Sequence, residues 1–378
     1  MRLQAFLALL AVVLPLVGSA PISHEEIEAN VAQDLRLLSL EDGADPVWKT
    51  EDEKLELMRA GKKFFDVTET YELEENLAAE SKLGSFASCT VPSPSHQTQV
   101  KPILNTLSTS NMQSSLSSLT AFNNRYYKSS TGADASAWIL SKVKSIASGR
   151  SDITASQFTH SWVQPSVIVK IAGTSASSPV TILGAHLDSI NLSNPTNGRA
   201  PGADDDGTGT VNLIETLRAL VAAGYKPSTP LEFHWYSGEE AGLLGSQAIA
   251  TSYKNSGVNV KAMIEFDMSG YFRPGSKEVI ALETDYIDSG LNTFLRSIIS
   301  SYSSIPVAND TPCGYACSDH ASWYKVGYPT AFPFEAVTGD DNPQIHSTGD
   351  TTSVSGFSWS HSLEFAKVAL AAAYELTA

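Results

Sequence analysis

From about residue 98 to the end of the 378-residue chain, short apolar segments typical of strands alternate with segments of helical periodicity. Buried strands that alternate with crossover helices are typical of a single α/β domain, in which a mostly parallel, mixed β-sheet is sandwiched by helices. We predict strands over 166–171, 180–186, 231–236, 260–266, 279–283 and 330–334. We predict helices over 98–108, 110–122, 134–149, 206–223, 243–254, 289–302, 318–326 and 360–376.

Acidic residues and histidines follow the carboxyl ends of several predicted strands, the edge of an open α/β sheet at which ligands bind. Taken singly, each has an ordinary interpretation as a helix cap, a solvated helix start or a structural histidine. Three consecutive aspartates, however, repel one another unless a cation compensates. Two histidines with three or more carboxylates suit two zinc ions that share a carboxylate. The residues are His186, Asp188, Asp204, Asp205, Asp206, Glu239, Glu240, Asp267 and His346.

Six motifs carry a resemblance to a known family. In chain order they are HLDS, APGADDDG, GEE, FDM, CGYACSDH and NPQIH. Together they resemble the secreted co-catalytic zinc aminopeptidases of peptidase family M28. The leader and the acidic N-terminal segment are similar to those of the fungal leucine aminopeptidase branch. The resemblance covers about residues 90–378.

The resemblance implies a ligand set for two zinc ions per monomer. His186 and Asp267 would bind one ion, and Glu240 and His346 would bind the other. Asp205, in the middle of the acidic triplet, would bridge them.

The resemblance also implies the roles of three further residues. Glu239 would be the general base, and Asp188 would orient the ligand His186. Tyr315 would donate a hydrogen bond to the oxyanion. The implied activity is that of an extracellular exopeptidase, in which zinc-activated water releases leucine or other hydrophobic residues from peptide N-termini.

Apolar residues next to the motifs are candidates for the side-chain pocket, although ordinary packing explains them equally well. They are Met268, Phe332, Phe334 and Ile345. Bacterial members of the family would have larger apolar or aromatic residues at two nearby positions, where this chain has Thr338 and Asp341. This departure leaves the side-chain preference open.

The N-terminal region is predicted to comprise a secretory signal peptide over 1–20 and a helical propeptide over 21–85, before a catalytic domain over 86–378. Residues 21–80 carry a net charge of −11 of the −16 in the whole chain. A capping-box pattern starts at Ser23, and a second starts at Thr50. The apolar residues that we place on one helical face are Ile27, Val31, Leu35 and Leu38. The alternative is an ordinary helical N-terminal domain.

In an oxidising compartment, Cys313 and Cys317 are the natural disulfide, and Cys89 is left unpaired. Asn191 and Asn309 begin glycosylation sequons. Beyond the leader, the sequence has no stretch typical of a membrane span, and its charge does not suggest nucleic-acid binding. We expect a secreted monomer whose partners are peptide and protein N-termini and its own propeptide.

The sequence leaves two other functions open. A glutaminyl-cyclase-like enzyme of the same fold would hold one zinc ion. A non-enzymatic, peptidase-like binding domain would lack at least one of the six implied ligand and base residues, and all six are present.

Overall fold

The computed structural model describes residues 21–41, 43–72, 91–175, 178–314 and 316–378. Its helices are α1 (His24–Val31), α2 (Glu51–Arg59), α3 (Gln97–Leu104), α4 (Thr109–Leu119), α5 (Ser130–Ile146), α6 (Gly207–Ala222), α7 (Leu244–Asn255), α8 (Ser289–Tyr302), α9 (His320–Lys325) and α10 (Trp359–Thr377). Its strands are β1 (Leu35–Ser39), β2 (Val47–Thr50), β3 (Phe65–Asp66), β4 (Ile153–Phe158), β5 (Ser166–Ile171), β6 (Val180–His186), β7 (Leu231–Tyr236), β8 (Val260–Glu265), β9 (Ile280–Leu282), β10 (Val307–Asn309), β11 (Thr330–Ala331) and β12 (Pro333–Phe334).

The central sheet has six strands in the order β11-β8-β6-β7-β5-β4. The first four strands are mutually parallel, and β5 and β4 add antiparallel pairs at the other edge. Every residue of β6 and β7 is buried, which explains why these strands are mostly apolar rather than alternating. The predicted α/β class and mixed, mostly parallel sheet are therefore confirmed.

Helices cover both faces of this sheet. On one face, α6 and α10 pack against each other and against the sheet, and Phe233 and Trp235 of β7 belong to the large core there. On the other face, α7 and α9 cover a second core that contains Tyr236 and Met263. None of the described helices combines the length and the apolar character needed to cross a bilayer.

A second sheet accounts for two departures from the predicted strands. It has the order β10-β9-β12, so the strand predicted over 279–283 lies outside the central sheet. The strand predicted over 330–334 is divided at Phe332, because Thr330–Ala331 pair with β8 and Pro333–Phe334 pair with β9. Proline has no N–H to donate to a ladder, which favours a change of pairing at that point.

The N-terminal segment is not purely helical, and this part of the prediction is wrong. Helix α1 ends at Val31, and Asp34 then adopts a positive φ of 59° that interrupts the helical path. Leu35 and Leu38, predicted to continue the helical face, lie instead on β1 of a three-stranded antiparallel sheet in the order β2-β1-β3. The leader over 1–20, Cys89 and the predicted propeptide boundary near residue 85 lie outside the described residues.

Candidate active site

The histidines and carboxylates singled out in the sequence converge at the carboxyl edge of the central sheet. His186 is the last residue of β6 and lies opposite Tyr236, the last residue of β7. Asp267 follows the end of the neighbouring strand β8 by two residues. Because these strands are parallel and adjacent, the loops that leave them meet at one place.

Two clusters form there, and one aspartate belongs to both. Asp205 Oδ1 lies 3.0 Å from Nε2 of His186, and its Oδ2 lies 3.0 Å from Nε2 of His346. His186 Nε2 is also 3.4 Å from Oδ1 of Asp267. His346 Nε2 is also 3.0 Å from Oε2 of Glu240. Within each cluster the candidate ligand atoms all lie within 4.8 Å of one another, which is close enough to hold one ion each.

The other two aspartates of the triplet bind backbone groups. Asp206 caps α6 by accepting from Gly209 N at 2.8 Å, and it also accepts from the backbone N–H groups of His186 and Met268. Asp204 accepts from Gly270 N at 2.9 Å and from the Asn342 side-chain amide at 3.0 Å. These carboxylates therefore fix the surrounding loops, and Asp205 is the triplet member that faces both histidines.

Asp188 connects the first histidine to the turn that follows β7. Its Oδ1 lies 3.5 Å from Nδ1 of His186. The same carboxylate accepts hydrogen bonds from the backbone N–H groups of Glu239 at 3.0 Å and Glu240 at 3.2 Å. A single buried side chain thus holds the histidine ring and the Glu239-Glu240 turn in a fixed relation.

The electrostatics of the clusters favour a bound cation. Burial lowers the pKa of His186, but the facing carboxylates of Asp267 and Glu239 more than offset this and raise it well above its usual value. Burial raises the pKa of Glu240, and repulsion from Asp205 adds to the rise. Oδ1 of Asp267 is buried without a hydrogen-bond partner. A zinc ion bound by nitrogen and oxygen ligands would satisfy this atom and reduce the repulsion, so the residues fit zinc.

Comparisons with known proteins agree with this geometry. Residues 166–373 match the sequence model of peptidase family M28. Leucine aminopeptidase 1 of Fusarium vanettenii is 41% identical over 382 residues, which cover 98% of this chain and 95% of that protein. Leucine aminopeptidase 1 of Coccidioides posadasii is 40% identical over 393 residues, which cover 100% and 99%. The chain belongs to peptidase family M28. It is a zinc-dependent aminopeptidase.

Solved structures show the same fold as this M28 aminopeptidase. LapB of Legionella pneumophila has a TM-score of 0.79 at 28% identity, and the match covers 93% of this chain and 97% of that one. The LapA aminopeptidase of the same organism has a TM-score of 0.78 at 29% identity, with 93% and 96% covered. A glutaminyl cyclase of Tannerella forsythia, at 14% identity and a TM-score of 0.56 over 71% of this chain, shares the fold alone.

A cavity of about 160 Å³ opens onto the two clusters of the aminopeptidase. The four residues predicted for the side-chain pocket all line it, namely Met268, Phe332, Phe334 and Ile345. Glu239 also lines the cavity, and its Oε2 lies 4.0 Å from Nε2 of His186. Burial raises the pKa of Glu239 well above its usual value, and the nearby Asp267 carboxylate adds to the rise.

The disulfide between Cys313 and Cys317 is present and borders the same cavity. The Asp285 carboxylate supports its loop by accepting from Cys313 N at 3.2 Å and from Gly314 N at 2.8 Å. Tyr315 lies outside the described residues, so its role in binding the oxyanion stays a prediction.

Two residues that support the site were missed by the sequence analysis. The buried guanidinium of Arg125 donates to the backbone carbonyls of Leu187, Pro201 and Gly202, and so ties together the loops that carry His186 and the triplet. Asp350 accepts from the backbone N–H groups of Asp204 at 3.0 Å and Asp205 at 3.1 Å. Each is a single polar residue in a loop with no local pattern. The one available signal was that Asp350 follows the His346 motif by four residues.

The two sequons differ in their accessibility. Asn191 is largely buried, and its Nδ2 donates to the Arg199 carbonyl at 2.9 Å. Asn309 is exposed at the end of β10, where its Oδ1 accepts from Arg296. Because a glycan is attached through Nδ2, the folded structure favours Asn309 over Asn191 as an acceptor.

Proposed function

We propose that the chain is a two-zinc aminopeptidase that releases leucine and other hydrophobic residues from peptide N-termini. The observation that carries this proposal is the position of Asp205, whose two carboxylate oxygens each lie 3.0 Å from the Nε2 of a different histidine. A carboxylate shared in this way suits two adjacent ions rather than one.

The proposed ligands are Asp205, His186 and Asp267 for one ion, and Asp205, Glu240 and His346 for the other. Zinc ions held there would supply Lewis acidity, which polarises a carbonyl group and makes water more acidic. Asp188 fixes the orientation of His186 through its carboxylate, so the ring does not have to reorganise during catalysis.

Glu239 is the proposed general base and acid. Its side chain lines the cavity beside both clusters, and its backbone N–H is held by Asp188. From this position its carboxylate takes a proton from the attacking water and returns it to the nitrogen of the leaving amine. Tyr315, on the loop closed by the disulfide, is proposed to donate to the oxyanion that forms on the scissile carbonyl.

The shape and charge of the cavity support an exopeptidase that acts on N-termini. At its polar end, lined by Asp205, Glu239 and Asp267, a free α-amino group would lie against one zinc ion and a nearby carboxylate. Its apolar wall, with Phe332 and Phe334, favours a hydrophobic side chain next to that group.

Metal analysis combined with an activity assay tests this proposal. The purified, processed protein should contain two zinc ions per chain and hydrolyse leucine 4-nitroanilide, and it should lose this activity on chelation and regain it with zinc. One zinc ion per chain together with cyclisation of N-terminal glutamine would instead identify a glutaminyl-cyclase-like enzyme. A zinc-loaded protein that hydrolyses no aminoacyl substrate would contradict the proposal.

We further propose that residues 1–20 are a signal peptide, that 21–85 are a propeptide, and that the mature enzyme over 86–378 is a secreted monomer, glycosylated at Asn309. The apolar leader and the disulfide support secretion. Within the N-terminal segment, Met58 and residues 61–64 line a second cavity together with Glu239, Glu240 and His346. The segment therefore lies across the approach to the site.

The segment is held on the catalytic domain mainly by packing. Leu37, Phe65, Val67 and Tyr71 of the segment pack with Leu243, Ala316 and Ala321. A domain expressed as 86–378 should recover activity poorly alone and better when 21–85 is supplied in trans, and added segment should inhibit the mature enzyme in a dose-dependent way. Equal recovery without the segment, and no inhibition by it, would contradict the propeptide role.

A further inference from the structure

The cavity proposed to hold the substrate side chain has a polar part as well as an apolar wall. Thr338 and Asp341, on the loop between β12 and His346, line it together with the four apolar residues Met268, Phe332, Phe334 and Ile345. A cavity that served only leucine would gain nothing from a carboxylate, because placing a charge beside an apolar group costs solvation free energy.

Among the described residues, the Asp341 carboxylate has no cationic partner. Its Oδ1 accepts a hydrogen bond from Gly339 N at 2.6 Å. Arg273, which donates to the carbonyl of Gly339 on the same loop, pairs instead with the neighbouring Asp340, whose Oδ1 lies 3.3 Å from its Nη1. In the part of the chain that the structure describes, no lysine, arginine or histidine pairs with Asp341. The side chain is only half-buried, so a charged group on a substrate can reach it.

A lysine of the chain itself borders the cavity, namely Lys63, in the N-terminal segment between α2 and β3. A lysine side chain packs its methylene stem along apolar surface and keeps its ammonium beside polar groups. The combination of Phe332, Phe334 and Asp341 offers both kinds of contact.

We propose that Asp341 is a specificity-determining residue, and that the enzyme removes N-terminal lysine as well as leucine. This inference rests on the proposed aminopeptidase function. The stem of a substrate lysine lies against the phenylalanine wall, and its ammonium pairs with the Asp341 carboxylate. A substrate leucine uses the apolar wall alone and gains nothing from the charge at position 341.

Three matched substrates separate the charge of the side chain from its length. They are the 4-nitroanilides of leucine, of norleucine and of lysine, where norleucine has an unbranched apolar chain without the ammonium. The full-length protein is secreted and treated with graded protease until its activity reaches a plateau, and kcat/KM is then measured for each substrate. Asp341→Asn keeps an oxygen that can accept from Gly339 N and removes only the charge. The matched control is Asp340→Asn, since Asp340 does not line the cavity.

The wild-type enzyme is expected to hydrolyse the lysine substrate, and D341N is expected to lower the lysine-to-norleucine ratio of kcat/KM by about 5- to 30-fold. Its kcat/KM for leucine should not fall, because leucine gains nothing from the charge, and D340N should leave the ratio unchanged. An unchanged ratio in D341N, or hydrolysis of leucine and norleucine with none of lysine, would overturn this inference alone. Failure of the zinc-loaded wild-type enzyme to hydrolyse all three would overturn the proposed function and the inference with it.

Discussion

The catalytic edge of the sheet and the N-terminal segment both face the same cavity, but they are held in different ways. At the catalytic edge, buried carboxylates accept from backbone N–H groups of neighbouring loops, as Asp350 does from Asp204 and Asp205. The described hydrogen bonds between the segment and the domain use other groups, for example Asp66 N to Gly242 O at 3.2 Å and Gln247 Nε2 to Asp66 O at 3.1 Å. The buried carboxylate of Asp66 forms its ion pairs within the segment, with Arg36 at 2.7 Å and with Lys54 at 2.8 Å.

From this difference we expect the N-terminal segment to be separable from the site. Removing a carboxylate from the catalytic edge leaves buried backbone donors unsatisfied, which costs about 1–3 kcal/mol for each donor. Removing the segment exposes an apolar face but leaves the hydrogen bonds of the site intact. If the segment is a propeptide, as we propose, it can therefore leave without disturbing the hydrogen bonds that hold the catalytic edge.

The largest expected effect is at Glu239. Glu239→Gln keeps the shape of the side chain but cannot accept a proton, so it should retain zinc and lose about 10²- to 10⁴-fold in kcat. Glu240→Gln is the contrasting variant, because it alters a proposed ligand and should lose zinc together with activity. Near wild-type turnover in a fully metallated E239Q enzyme would contradict the assignment of the base.

The second prediction compares two neighbouring aspartates. Asp205→Asn should cost both zinc ions, because Asp205 is the carboxylate common to both clusters. Asp204→Asn should keep most of the zinc and instead lower the melting temperature, because Asp204 holds Gly270 and Asn342. Zinc analysis and thermal unfolding of the two variants provide the test. Equal zinc loss in the two variants would contradict the assignment of Asp205 as the one ligand common to both ions.

The sequence predicts a strand or helix, and the site residues that follow it, best where the apolar pattern extends over several residues. Strands β6, β7 and β8 are six or seven residues long and largely buried, so their apolar runs were recognisable and the residues after them could be placed at one edge. The residues of the two clusters followed from that placement and from the family resemblance. Their convergence within hydrogen-bond distance needed the structure.

The segment and the supporting residues were less predictable for identifiable physical reasons. The spacing of Ile27, Val31, Leu35 and Leu38 fits one helical face, and a single residue with positive φ, Asp34, interrupts it. Strands such as β3 and β12 have two residues each, too few to show a period. Arg125 acts on carbonyl groups 62 to 77 residues away, so no local pattern could indicate its contacts.

The third prediction concerns a substitution that weakens the binding of the N-terminal segment without altering the site. Asp66 is buried, which raises its pKa, but Lys54 and Arg36 more than offset this and lower the pKa to about 2. Asp66→Asn leaves the buried Lys54 without its carboxylate and Arg36 with Glu69 alone, so the full-length precursor should become at least about tenfold more active relative to its protease-treated plateau. Glu69→Gln is the control, because Glu69 pairs with the same Arg36 but is 44% exposed.

Because Asp66 titrates, the binding of the N-terminal segment should depend on pH. Because the pKa of Asp66 in the folded segment is lower than the usual value of 3.8, its stabilising contribution is present above about pH 4 and is lost as the pH falls toward 2. The wild-type precursor should therefore stay inhibited from pH 7 to pH 5, and the segment should bind more weakly near pH 3. D66N should show little further change over that range. A pH response of equal size in both proteins would exclude Asp66 as its source.

The smallest expected effect is at the disulfide. The bridge joins residues only four apart, so the chain-entropy argument gives it on the order of 2 kcal/mol of stability or less. Its loop nevertheless borders the cavity and carries Tyr315, while Asp285 holds the loop backbone at Cys313 and Gly314.

Replacing both cysteines by serine frees the loop without touching the zinc ligands. We expect kcat to fall about 3- to 10-fold through looser positioning, with full zinc content and a melting temperature lowered by only a few degrees. Thiol titration of the untreated wild-type protein should detect no thiol from this pair. A large drop in melting temperature with unchanged kcat would mean that the bridge stabilises the fold rather than the cavity wall.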